Sequence, residues 1–303
     1  MSRRGRQLLR LMAILQLLVP SSGLAAESSL DVYAVNYPLA YFAERIGGES
    51  VRVHFPAPPD VDPAFWKPTA ETIGEFQKAD LILLNGAGYA RWVGQASLPR
   101  RSLVDTSRSF ASGYISNDRG PLHQHGPSGE HAHGEVAFTT WLDPRLAIEQ
   151  ARSVEAALAT RLPDQVEDLA RRGAQLVADL EGFDRDLAAA FETLGERAYF
   201  ASHPIYAYLA SRYGLEIHSF VWEPDAEPGE AEWLDLDDAR AGSDRGWMLW
   251  EAEPLSSTRT ELERRNIRVI VFEAAGNRPA DGDFLSSMRR NLEAIRSATG
   301  PDG

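Results

Sequence analysis

Cysteine is absent from the 303 residues. That excludes disulfides, thiol catalysis and cysteine-held zinc or iron–sulfur clusters, so any metal must be held by His, Asp or Glu. Basic residues are in short supply: 31 Lys and Arg stand against 44 Asp and Glu, a net charge of −13. Such a chain lacks the basic face that a phosphate backbone demands, so no nucleic acid is expected as a partner. Hydrophobic residues make up 44% and charged residues 25%. That ordinary balance excludes a multi-span membrane protein and a mostly disordered one. The sequence also holds no Gly-x-Ser-x-Gly, Walker loop, His-Glu-x-x-His or Gly-x-Gly-x-x-Gly. Hydrolase, nucleotide and dinucleotide readings therefore have no motif to start from, and an enzyme is not expected. The acids Glu251 and Glu253 lie two apart at a strand end, as in a paired-acid hydrolase, but without further support.

The first 26 residues read as a secretory signal. Arg3, Arg4, Arg6 and Arg10 precede the apolar stretch Leu11–Val19, and Leu24-Ala25-Ala26 follows. The stretch is too short for a spanning helix, which needs ~20 residues. Arg3-Arg4 raises twin-arginine export as an alternative to the general route. Cleavage would remove four of the basic residues and no acid, leaving −17. The mature protein is expected to be periplasmic.

The rest reads as α/β, with two Rossmann-like lobes built on central parallel sheets and joined by a long rigid helix. The expected division is an N-terminal lobe at 27–162, a linking helix at 163–194 and a C-terminal lobe at 195–303. In the first lobe, strand patterns at 31–35, 51–55 and 79–86 alternate with helix patterns at 37–46 and 70–78. Strands alternating with helices argue for βαβ units. Val166, Leu169, Leu176, Leu180, Phe183, Leu187, Phe191 and Leu194 recur at helical steps and set the linking helix. In the second lobe, strand patterns cover 197–201, 216–221, 247–250 and 267–272, with helix patterns at 205–212, after Pro254, and at 283–297.

Histidines and carboxylates are the candidate chemistry. Residues 116–134 have no apolar periodicity and carry four of the seven histidines, His123, His125, His131 and His133, as two His-x-His units. Such tracts commonly bind metal. His203 and Glu273 each follow a strand pattern, at the carboxyl ends where open α/β sheets bind ligands. His54 and His218 sit within strand patterns and read as structural.

Six short motifs, in order, resemble the periplasmic zinc and manganese binding proteins of ABC importers (cluster A-I, zinc-uptake type). They are Asp62-Pro63-Ala64-Phe65-Trp66-Lys67-Pro68-Thr69, the run Ala79–Gly88, Trp141-Leu142-Asp143-Pro144, Ser202-His203-Pro204 through Arg212-Tyr213-Gly214-Leu215, Glu253-Pro254, and Met288–Leu292. The resemblance implies a metal held between two lobes by side chains from four positions. Those positions fall on Ala64, Thr139, His203 and Glu273. Two expected imidazoles, both in the N-terminal lobe, are thus replaced, while the C-terminal pair is kept.

Three readings follow. Loop histidines replace the missing pair and the cleft captures Zn²⁺, or less readily Mn²⁺, for a membrane permease. Alternatively, a cleft lined by Trp66, Trp141, Tyr206 and Trp250 takes an organic molecule or a metal chelate. Or the protein is an accessory that meets a transporter or a periplasmic metallochaperone. In each case a monomer is expected.

Overall fold

The computed structural model describes residues 29–116, 123–124, 130–131, 136–195 and 197–298. The signal segment, His125 and His133 lie outside the described residues. In chain order the first lobe holds β1 (Leu30–Ala34), α1 (Tyr37–Gly47), β2 (Val51–His54), α2 (Ala70–Phe76), β3 (Leu81–Leu84) and β4 (Leu103–Asp105). Two-residue strands follow, β5 (His123–Gln124) and β6 (Glu130–His131), and then α3 (Pro144–Arg161). A single 3₁₀ turn at Pro163–Gln165 opens α4 (Val166–Leu194). Beyond it come β7 (Ala198–Ala201), α5 (Ala207–Tyr213), β8 (Ile217–Ser219), α6 (Glu230–Ala239), β9 (Gly246–Trp250), α7 (Ser256–Arg264), β10 (Ile267–Val271) and α8 (Phe284–Ala298).

Both main sheets are four-stranded and all parallel. Their orders are β2-β1-β3-β4 and, read from the other edge, β8-β7-β9-β10. The two lobes thus repeat one topology. In each, the first strand is flanked by the second on one side and the third on the other. The strand order reverses there, and the loops leaving the first and third strands part in opposite directions and open a crevice.

The elements form for local reasons. Asn36 caps α1 by accepting the Leu39 N–H, and Pro38 lies in the first turn. Asp143 caps α3 through the Arg145 N–H, again with proline at the start. The buried residues of α4 (Leu169, Leu176, Leu180, Phe183, Leu187, Phe191 and Leu194) form one stripe along its 29 residues, about 43 Å. One apolar cluster runs from the first sheet through this stripe to α8 and one face of the second sheet. A separate cluster of Phe200, Phe220, Trp222, Leu236, Met248, Trp250, Leu262 and Ile267 covers the other face of that sheet.

The elements β4, α3 and α6, and the short β5–β6 pair, escape the sequence patterns. The strand β4 has three residues, too few to show a period. The buried stripe of α3 interleaves Ala147, Gln150 and Ala151 with Ile148, Val154 and Leu158, and α6 fully buries only Leu236. Residues 116–134 contain the β5–β6 pair, whose backbone register sets His123 opposite His131.

Besides α4, backbone and side-chain hydrogen bonds join the lobes along a seam. The Trp141 indole N–H donates to the Ala274 carbonyl at 2.7 Å, and the Tyr37 N–H to the Gly276 carbonyl at 2.9 Å. Asn277 donates to the carbonyls of Pro58 and Val61 at 2.7 and 2.8 Å. From the other side the Tyr208 hydroxyl donates to the Ala137 carbonyl at 3.0 Å, and the Thr139 hydroxyl to that of Ile205.

Candidate metal centre

The four positions implied by the resemblance behave differently. Ala64 is buried, its N–H held by Asp62 at 2.8 Å, and it presents only a methyl group. Thr139 is buried with its hydroxyl committed to Ile205, two residues beyond His203. The place of the second imidazole is therefore a hydrogen bond that helps close the seam.

His203 leaves the end of β7 and is 4% exposed. Its ring is flanked by two carboxylates. Glu251, which follows β9, has Oε1 3.4 Å from Nδ1; Glu223, in the loop after β8, has Oε1 3.7 Å from Nε2. Since β8 and β9 are the two neighbours of β7, sheet order alone gathers these three side chains. Burial by itself would lower the imidazole pKa. Pairing with Glu223 and the charges of Glu251 and Glu223 outweigh it, and the pKa lies above the ordinary 6.5.

Glu273 follows β10, one strand further out. Its backbone is pinned by Asn291, whose amide accepts from the Glu273 N–H and donates to the Glu273 carbonyl, both at 2.9 Å. Its side chain is 41% exposed and faces Arg290 of α8 at 3.5 Å. The Tyr206 hydroxyl bonds the Phe272 carbonyl at 2.8 Å and so ties the loop after His203 to the strand end before Glu273. Among the described residues, no group of three His, Asp or Glu side chains is placed to hold an ion by itself.

The aromatic residues expected to line a cleft are occupied in packing. Trp141 and Tyr206 are buried and spend their polar atoms on backbone carbonyls. Trp66 is half-buried and packs edge-on against Trp92 of its own lobe. Trp250 belongs to the cluster behind the second sheet and faces no cleft, because residues of a parallel strand alternate between its two faces. An open groove of 1620 Å³ lies at the other end of that sheet, along the starts of β7, β8 and β9, away from His203.

His54 and His218 have structural roles. His54 stacks on Tyr33 and bonds Asp31 at 2.8 Å, and His218 packs on Phe220. The paired acids Glu251 and Glu253 part company: Glu253 turns to Arg259 at 2.6 Å, Glu251 to His203. Sequence reasoning passed over Glu223 and did not connect Glu251 with His203. The usable signal was positional, since every strand end of one parallel sheet opens on the same rim.

An acidic rim around a buried imidazole is hard-to-borderline donor chemistry, suited to a divalent cation such as Zn²⁺ or Mn²⁺. Comparison with known proteins points the same way. The chain is 22% identical over 308 residues to the zinc-binding lipoprotein AdcA of Streptococcus pneumoniae, covering 98% of this chain and 61% of that protein. It thus spans only about three-fifths of that relative's length. It is 24% identical over 284 residues to the high-affinity zinc uptake system protein ZnuA of Bacillus subtilis, covering 89% of this chain and 79% of that one. In fold it resembles the Zn(II)-bound ZnuA-like domain of S. pneumoniae AdcA, with a TM-score of 0.73 at 20% identity over 89% of this chain and 99% of that domain. The metal-dependent lipoprotein YcdH of B. subtilis gives a TM-score of 0.75 at 21% identity, covering 89% and 98%. The model of the family ZnuA, zinc-uptake complex component A, periplasmic, matches residues 32–298, and the chain belongs to that family.

Proposed function

We propose that this protein is the solute-binding component of an ABC importer, which captures a divalent metal outside the cytoplasmic membrane and hands it to a membrane permease. Zn²⁺ is the favoured cargo and Mn²⁺ the second. The protein is a carrier and does no covalent chemistry. Residues 1–26 are its export signal, and 27–162 and 195–303 its two lobes on either side of the helix at 163–194. The supporting observation is His203 set between carboxylates at the strand-order reversal of the C-terminal sheet, in a chain of the zinc-uptake family.

The anchor of the site is His203, with a carboxylate from a neighbouring strand end, Glu273 at the family's position or one nearer the ring. His123, His125, His131 and His133 serve as recruiting ligands, bringing metal to a site that lacks the N-terminal imidazoles. With two of the four family positions carrying no imidazole, this carrier should hold zinc less tightly than one with four side-chain ligands. The test is metal content of the mature protein after chelation and reloading. One equivalent of Zn²⁺ is expected, and a chain that retains none is no zinc carrier.

A further inference from the structure

We infer that a groove between α6 and α7 docks an arginine- and lysine-rich peptide segment of a partner protein. The inference goes beyond the carrier reading and does not depend on the cargo. Through Leu236 and Leu262 the two helices cover the face of the second sheet that carries the separate apolar cluster, away from the seam between the lobes. The groove has a volume of about 480 Å³, and Glu227, Trp233, Ser257, Thr258 and Glu261 are among the residues that line it. Its surroundings are charged with one sign. Residues 225–238 hold seven acids and no Lys or Arg. Asp237 pairs with Arg240 and Arg265, and Glu232 caps α6 by accepting the Gly229 N–H at 2.6 Å. Asp225, Glu227, Glu230, Asp235 and Asp238 are exposed and have no basic partner among the described residues. The arginines of α7 are already taken: Arg259 by Glu253 at 2.6 Å, Arg264 by Glu261 at 2.8 Å and Arg265 by Asp237 at 3.2 Å.

The groove also makes a polar and an apolar demand. Thr258 lines it at 1% exposure, yet its hydroxyl has no hydrogen-bond partner among the described residues. A buried hydroxyl left unpaired is a cost that a ligand relieves. Leu255 stands at the N-cap of α7 and carries no side-chain oxygen, so no cap satisfies the N–H groups of the first turn. Leu234 and Leu255 are the chain neighbours of the lining residues Trp233 and Ser256. They are 60% and 37% exposed, two of the three large apolar side chains left open among the described residues. An anion suits the helix start but is repelled by the acids. A metal ion suits the acids, but no three of them are grouped to hold one among the described residues. A basic peptide answers every demand. Its cationic side chains meet the acids, its carbonyl oxygens accept from the N–H groups and the Thr258 hydroxyl, and an apolar side chain covers Leu234.

The experiment uses the full mature chain. Fluorescein-labelled dodecapeptides with four arginines and one leucine, in varied spacings, are titrated with the protein and read by anisotropy. A second set carries glutamate in place of arginine. The inference expects a Kd below about 100 μM for at least one arginine peptide and none for the glutamate set. Neutralising Glu227→Gln, Glu230→Gln and Asp235→Asn together should weaken that peptide at least fivefold, and Leu234→Ser and Thr258→Val at least twofold each. As a control, Glu167→Gln, Glu181→Gln and Glu192→Gln on α4 remove the same charge elsewhere and should have almost no effect. Hydrogen exchange of the wild type should slow across residues 254–262 when the peptide binds, which decides the place even if a variant fails to fold. An equal loss from the α4 variant means diffuse attraction to an acidic protein and overturns the inference. So do binding of the glutamate set, protection confined to other segments, or no arginine peptide bound below 100 μM. None of these results touches metal capture, which is read separately by zinc content.

Discussion

In the N-terminal sheet the loops after β1 and β3 bring Asn36 against Asn85, amide to amide at 3.0 Å. Asn85 is further held by the Phe138 carbonyl at 2.9 Å and by Gln150 at 3.2 Å, and Gln150 reaches Thr106 at 3.0 Å. The same place in the C-terminal sheet, after β7 and β9, brings His203 against Glu251. One strand order thus carries a neutral, closed amide network in one lobe and an imidazole among acids in the other. A buried amide network whose members satisfy one another rigidifies and offers nothing to a cation. A carboxylate–imidazole cluster keeps negative charge close to a nitrogen lone pair, and a divalent ion relieves it. The lobe that holds Ala64 and Thr139 is also the one whose crevice is filled with neutral groups.

The sharpest way to break this contrast is to remove each centre in turn. His203→Ala should weaken zinc at least a hundredfold by calorimetry, whereas Thr139→Ala should change it less than threefold. Equal losses would mean that both lobes bind the ion. Removing the neutral centre should act on stability. Asn85→Ala leaves Asn36 and Gln150 short of partners and should cost about 2–3 kcal/mol in urea unfolding, with zinc affinity of the folded protein unchanged.

The lobes also differ in how they grip α4. Arg212 of α5 forks onto Asp184 at 2.5 and 3.0 Å, with side chains only 17% and 14% exposed. On the other side Arg45 of α1 meets Asp179 at 2.7 Å, with 33% and 39% exposed. Breaking the first with Arg212→Ala should cost about 2 kcal/mol, because Asp184 is left charged in a mostly buried place. Arg45→Ala should cost about 0.5 kcal/mol, as for a solvated pair. Matching shifts in urea midpoint would show that burial does not set this difference.

The smallest effect is a pH dependence confined to the N-terminal lobe. The hydrogen bond from His54 is the main reason that the Asp31 carboxyl titrates below its ordinary 3.8, with Arg52 adding to it against a burial effect of opposite sign. A depressed aspartate stabilises the fold above its unfolded pKa and loses that contribution as pH falls through the folded one. Asp31→Asn should therefore narrow the drop in stability below about pH 3.8, by little, since solvent screens the pair. His203 variants should leave that acid limb unchanged.

Most elements were legible in the chain because their causes are local. The helix pattern at 37–46 matches α1 to within a residue, and the stripe from Val166 to Leu194 is α4 itself. Where the local signal is thin, reading failed: β4 is too short, and the buried stripe of α3 mixes Ile148, Val154 and Leu158 with alanines and the polar Gln150, which dilutes its apolar period. The site was half legible. His203 and Glu273 could be picked out as strand-end residues, but which acid stands against the imidazole could not.

That last point divides what the chain determines from what the fold decides. Composition, the basic and apolar start and the repeated βα alternation are properties of the sequence alone, as is the presence of Ala64 and Thr139 where the resemblance implies imidazoles. The sequence therefore limits the chemistry to histidines and carboxylates. Only the tertiary structure sets β8 and β9 on either side of β7. Neighbouring strands lie ~4.8 Å apart whatever their distance along the chain. Strand order thus delivers Glu223 and Glu251 to His203 and sends Glu273 out toward Arg290.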